Sequence, residues 1–154
     1  MIRRLADFLD SAALTFWVGG LWTVGFVVAP ALFRSLDSRA MAGAVAGEMF
    51  TLMAHIGLAC GGYLLAYRLF RQGAGALRYA SFWIVLAMLA LVAASQFGIA
   101  PVLAGLKEQA LPKQVMESIL RDRFATWHGV SSGLYVIVSV LGAVLVVLQG
   151  KSPR

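Results

Sequence analysis

Four uncharged stretches, each bracketed by charged residues, constrain this chain more than any other feature. Asp10 and Arg34 enclose 23 residues (Ser11 to Phe33), and Glu48 and Arg68 enclose 19 (Met49 to Tyr67). Arg78 and Lys107 enclose 28 (Tyr79 to Leu106), and Arg123 and Lys151 enclose 27 (Phe124 to Gly150). A helix needs about 20 apolar residues to cross the hydrocarbon core of a bilayer, so each run suffices. Backbone polar groups in lipid must pair within the spanning structure, which leaves helices or a closed barrel. Barrel strands alternate in polarity over about 10 residues, and these runs are apolar all round. The sequence therefore predicts an all-α integral membrane four-helix bundle, one domain, with spans near 11–33, 49–67, 79–106 and 124–150.

Composition agrees. Of 154 residues, 60% are hydrophobic and 13% charged, and the mean hydropathy is +0.82. A soluble globule of this size has too little interior for so many apolar side chains and too few charges to cover its surface. Disorder needs the opposite composition. The net charge of +6 does not point to nucleic acid, because the basic residues sit in short clusters between long uncharged runs and form no single patch. Such clusters flank membrane spans and meet lipid headgroups, so the bilayer is the first expected partner. Cys60 is the only cysteine and has no partner for an intrachain disulfide.

The connections carry their own signals. Ser38 can cap a second helix that begins well before its span. Pro30 and Pro101, near the ends of the first and third runs, should kink or end those helices. Gly73-Ala-Gly75 marks a short turn. Residues 107–123 are polar, but Val115, Met116, Ile119 and Leu120 recur at helical spacing, which predicts a short interfacial helix after Pro112. Arg3 and Arg4 precede an apolar run longer than a signal-peptide core, which reads as an uncleaved first helix. The tight turn Arg68 to Arg78 holds three positive charges and no acid, which favours both termini in the cytoplasm.

Polar residues inside spans are the functional candidates, since lipid makes them costly unless paired or solvated. His55 lies seven residues past Glu48, and His128 five past Arg123. With alternating helix directions, both histidines fall at similar depth near the same face. Glu48 and His55 share a helix face. His128, Ser132, Tyr135 and Ser139 form a polar stripe expected to face the bundle interior. Gln96 is the polar candidate of the third helix. These positions predict a polar pocket lined by Glu48, His55, Gln96, His128, Ser132 and Tyr135, which would bind or pass a small solute or ion. The plainer alternative is that these groups satisfy one another or hold helices together, in a structural or partner-binding membrane protein. Two imidazoles at one depth could also ligate haem iron or copper, so His55 and His128 are metal candidates. No nucleophile elbow, P-loop, dinucleotide fingerprint or zinc-protease motif is present, which argues against catalysis.

Small residues recur at four-residue spacing: Gly43 and Gly47, Gly57 and Gly61, Gly129 and Gly133, and Ser11, Thr15 and Gly19. Such spacing lets helices approach closely, within the bundle or between chains as a homo-oligomer or with a membrane partner. Trp17, Trp22, Trp83 and Trp127 are expected to include interfacial anchors, Trp127 most clearly.

The stretch Phe16-Trp17-Val-Gly19-Gly20, followed by Gly25-Phe26-Val-Val-Ala29-Pro30-Ala-Leu32-Phe33, resembles the start of the transmembrane protein 205-like family, a domain-of-unknown-function family. Ala42-Gly43-x-x-x-Gly47-x-Met49-Phe50 and Phe124-x-x-x-His128-Gly129-x-Ser131 are similar to its second and final segments. The resemblance implies a small four-helix membrane protein, in a bacterium one of the cytoplasmic membrane, and implies no reaction. Trp17-x-Gly-Gly20 with intramembrane histidine more weakly resembles copper-resistance membrane proteins and the four-helix protoporphyrinogen oxidase that binds haem. A reporter enzyme fused after Arg154 is expected to be active only on the cytoplasmic side; activity confined to the outer side would reverse the orientation.

Overall fold

The computed structural model describes residues 2–110 and 119–150. Helix α1 (Ile2–Trp22) continues through a π segment (Thr23–Val28) into α2 (Ala29–Ser35). Helix α3 (Arg39–Gln72) is followed by a 3-10 turn (Gly73–Arg78). Helix α4 (Ala80–Ala93) continues through a second π segment (Ala94–Ile99) into α5 (Ala100–Gln109), and α6 (Arg121–Gly150) follows. These pieces form four rods, Leu5–Ser35, Arg39–Arg78, Ala80–Gln109 and Arg121–Gln149, each long and apolar enough to cross a bilayer. No strand occurs among the described residues. The interfacial helix expected after Pro112 lies almost wholly outside the described residues.

Neither Pro30 nor Pro101 ends its rod. Each sits in the first turn after a π segment. Proline lacks an N–H and crowds the carbonyl four residues before it. The chain answers by widening the preceding turn: Ala29 N–H bonds the Val24 carbonyl and Ala100 N–H bonds the Ser95 carbonyl, five residues back in both cases. Ser38 caps α3 as its sequence position suggests, its side-chain oxygen accepting from Met41 N–H at 3.3 Å. Gly73, at φ 53°, closes α3 in a conformation that favours glycine. At 1.5 Å per residue α3 is roughly 50 Å long, well beyond the hydrocarbon thickness. The excess lies between Arg39 and Glu48, ahead of the uncharged run.

The rods pack as a square. α1 neighbours α3 and α6, and α4 neighbours the same two, so α3 and α6 stand across a diagonal. The core draws on all four rods: Leu14, Trp17, Val18 and Leu21 from α1, Leu64 from α3, Val85, Met88 and Val92 from α4, and Val138 and Leu145 from α6. Trp17 is fully buried. Its ring lies against Gly57 and Gly61 of α3, where a Cβ at Gly61 would stand 2.8 Å from two ring carbons. Gly142 of α6 accepts Val18 in the same way, with a Cβ only 3.2 Å from its methyls. The Gly57 and Gly61 pair thus serves packing within the bundle, and Trp17 is a core residue, not an interfacial anchor. Trp22 instead ties two rods, its indole N–H donating to the Ser139 carbonyl at 3.2 Å.

Replacing Trp17 by Ala should lower unfolding stability by about 3 kcal/mol, because the cavity left cannot close against two glycines. Gly61→Leu should destabilise through the opposite fault, overpacking. Denaturant titration of the protein in micelles, followed by circular dichroism, checks both.

Candidate functional site

The six sequence-predicted residues do not share one environment. Glu48 is exposed on α3. His55 is also exposed, and its Nδ1–H donates to the Thr51 carbonyl at 2.8 Å on its own helix. His128 is exposed on α6 and stacks on Phe124, with ring centroids 5.8 Å apart and planes at 8°. Ser132 is exposed and spends its hydroxyl on the His128 carbonyl at 2.9 Å, again within its own helix. Gln96 lies half-buried in the second π segment. Two facts of packing explain this scatter. α3 and α6 are diagonal, and both histidines point outward from the square. The stripe on α6 turns inward only at Tyr135 and Ser139; from Arg121 to Gly133 no residue is buried.

Tyr135 is the member that reaches the interior. Its hydroxyl donates to the Leu21 carbonyl at 2.6 Å. A Cβ at Gly25 would stand 3.1 Å from the same oxygen. Leu21 lies two residues ahead of the first π segment, so the hydroxyl meets this rod just where its helical register changes. The ring fits only because Gly25 has no side chain: an added Cβ would strike it. Phe50 of α3 closes the other side, edge-on to Tyr135 with centroids 5.0 Å apart. Three rods meet at this one side chain.

A second polar group, at the opposite end of the bundle, is absent from the sequence reading. Asp7 and Asp10 of α1 meet Tyr63, Tyr67, Arg68 and Arg71 of α3 and Gln149 of α6. Arg71 Nη1 donates to Asp7 Oδ1 at 2.6 Å and to the Tyr67 hydroxyl at 3.0 Å. Tyr63 and Tyr67 stack at 5.9 Å, and the Arg71 guanidinium lies 5.7 Å from the Tyr67 ring centre. The Asp7–Arg71 pair is 58% and 47% exposed and contributes little alone. Deeper in, Gln149 Nε2 donates to Asp10 Oδ2 at 3.1 Å. Asp10 and Arg68 had served only to mark where spans begin and end. Their signal was the helical spacing of Tyr63, Tyr67 and Arg71 at intervals of four, with two acids three apart on α1.

The middle between these ends is apolar and closed by Trp17. An open groove of about 690 Å³ runs outside it along α1, lined by Phe8, Ser11, Thr15, Gly19, Gly20 and Met53. The Ser11, Thr15 and Gly19 series therefore faces outward. Among the described residues no three His, Cys, Asp or Glu side chains converge as metal ligands.

Four apolar rods with charge confined to their ends define a multi-pass membrane protein. The family described as a domain of unknown function (DUF4149) matches residues 12–112, and the chain belongs to it. That match covers most of the first rod and all of the second and third, and stops before α6. No curated protein and no solved structure matches the chain.

Tyr135→Phe should cost about 1 kcal/mol, since the hydroxyl bonds a backbone carbonyl of another rod. Gly25→Ala should cost more, because the ring itself must move. Both would show as lower midpoints in the same micelle titration. A wild-type midpoint for Gly25→Ala would contradict the ring placement.

Proposed function

We propose that the protein is a partner-binding membrane protein, a four-helix module that joins another transmembrane chain through the outer face of the first half of α6. One observation carries this reading. The first half of α6, Arg121 to Gly133, lies within a predicted span for most of its length, yet buries no residue. It presents His128 and Ser132 outward, beside Gly129 and Gly133, which have nothing within 4 Å of an added Cβ. A bundle helix facing lipid there would leave an imidazole among acyl chains, at a cost of several kcal/mol. A second transmembrane helix crossing at the two glycines would cover it and supply hydrogen-bond partners. Glu48 and His55 stand on the outer side of α3, across the diagonal, and lie outside this face.

A second copy of this chain is the simplest such partner, because one face can meet itself about a two-fold axis. A solute or ion pocket built from Glu48, His55, Gln96 and His128 is the weaker reading, as α3 and α6 are diagonal and the histidines point away from the square. The likeness to the transmembrane protein 205-like family and the positive Arg68–Arg78 turn support a bacterial cytoplasmic membrane with both termini inside.

Cysteine placed at Ser132, in a Cys60→Ala background, tests the proposal in native membranes. Oxidation should give a cross-linked dimer, and Gly129→Leu with Gly133→Leu should reduce its yield about tenfold. A monomer at every protein density, with no cross-link to any other membrane protein, would overturn the reading.

A further inference from the structure

The first and third rods align at a single offset. Phe26-Val-Val-Ala29-Pro30-Ala-Leu32 recurs 71 residues later as Phe97-Gly-Ile-Ala100-Pro101-Val-Leu103. The π segments, Thr23–Val28 and Ala94–Ile99, stand at the same offset. So does the core. Leu14, Trp17, Val18 and Leu21 of α1 correspond to Val85, Met88, Leu89 and Val92 of α4, all of them in or against the one apolar cluster. Helical periodicity alone would permit several offsets, each about a turn apart. The π segments and the Ala-Pro pairs select the one that also aligns the core.

The second and fourth rods align in the same manner, at an offset of 81. Gly57, Gly61 and Leu64 of α3 correspond to Val138, Gly142 and Leu145 of α6, and all six are buried. The larger offset reflects mostly the longer link between the third and fourth rods. Contacts between rods obey the same correspondence. A Cβ at Gly61 would meet Trp17 and Leu89, and a Cβ at Gly142 would meet Met88 and Val18. Exchanging the halves turns each pair of neighbours into the other. α1 packs on α3 as α4 packs on α6, and α3 packs on α4 as α6 packs on α1. The first and third rods run parallel on one diagonal, the second and fourth on the other. The operation is therefore a two-fold turn about an axis along the rods.

We propose that the chain is a tandem repeat of one two-rod unit, residues 2–78 and 80–150, whose inner face is a self-complementary docking surface used twice. The partner of each unit is a second copy of the same design, joined to it through the Gly73–Arg78 turn. Parallel repeats about an axis normal to the bilayer are an established construction of membrane proteins. The repeat extends to the scaffold and not to the polar groups. Under these offsets Asp10 corresponds to Ser81, Arg68 to Gln149, His55 to Val136 and His128 to Gly47. Tyr135 and Gly25 correspond to Ala54 and Gln96. The polar chemistry belongs to one unit or the other, and the outward His128 face occurs once in the chain.

An exchange of core residues between the units, in the full chain, tests this. Trp17→Met with Met88→Trp moves the ring into the second unit, where Val138 stands in the place of Gly57. The denaturation midpoint in micelles should fall, because the ring strikes Val138 and leaves a gap beside Gly57. Adding Gly57→Val and Val138→Gly should restore most of the loss. The proposal is overturned if the first two changes cost nothing, or if all four together are no more stable than the first two. Should the exchanged chain fail to fold, distances in the otherwise unaltered chain decide. Phe16, Ala59, Ala87 and Val140 are exposed and related by the same offsets. Spin labels on cysteines placed there, in a Cys60→Ala background, are read by double electron–electron resonance. Positions 16 and 59 should lie as far apart as 87 and 140, and 16 and 140 as far apart as 87 and 59. A mismatch above about 5 Å, half the spacing of packed helices, overturns the proposal.

Discussion

The indole of Trp17, pressed against the backbone of α3 at Gly57 and Gly61, is the contact on which the rest of the bundle depends. In a bilayer, apolar side chains gain little by leaving lipid for one another, so helices associate through close packing and hydrogen bonds. Close packing needs one surface that yields. Two glycines provide it on α3, Gly142 provides it on α6 for Val18, and Leu14, Leu21, Leu64, Met88 and Leu145 fill in around the ring.

The first and third rods share an unusual construction: a six-residue π segment followed by Ala-Pro. In the first, the irregularity is used. Tyr135 donates its hydroxyl to the Leu21 carbonyl with its ring against the bare Gly25, and Phe50 lies edge-on to the ring. In the third, the π segment carries Gln96, half-buried. Proline in a membrane helix survives only where neighbours re-satisfy the freed groups. A tyrosine from another rod bonds the Leu21 carbonyl just ahead of the widened turn, which commits it to structure.

Much of the fold was legible. Bracketed uncharged runs specify four spans because lipid excludes charge and demands internal backbone pairing. Ser38 and Gly73 announce the ends of α3 through local chemistry alone, and Gly57 with Gly61 announces a close approach. Far less of the polar chemistry was legible. Depth along a rod can be counted, so His55 and His128 were placed at similar levels. The direction a side chain points depends on how the rod is rotated, and its neighbours depend on which rods are adjacent. Neither quantity is written in spacing. The same limit hid the Asp10, Arg68 and Gln149 group, whose members look like span markers until three helix ends are seen together.

The sequence by itself determined the class, the number of rods, most of their ends and the close approach at Gly57 and Gly61, because these follow from local pairing and from the cost of charge in lipid. Tertiary structure alone decided that α3 and α6 face across a diagonal, that Trp17 points in while His128 points out, and that Tyr135 bonds the Leu21 carbonyl of another rod. Those outcomes follow from rotating and pairing apolar cylinders. Several arrangements bury similar apolar faces, and only the detailed fit of ring against glycine selects among them.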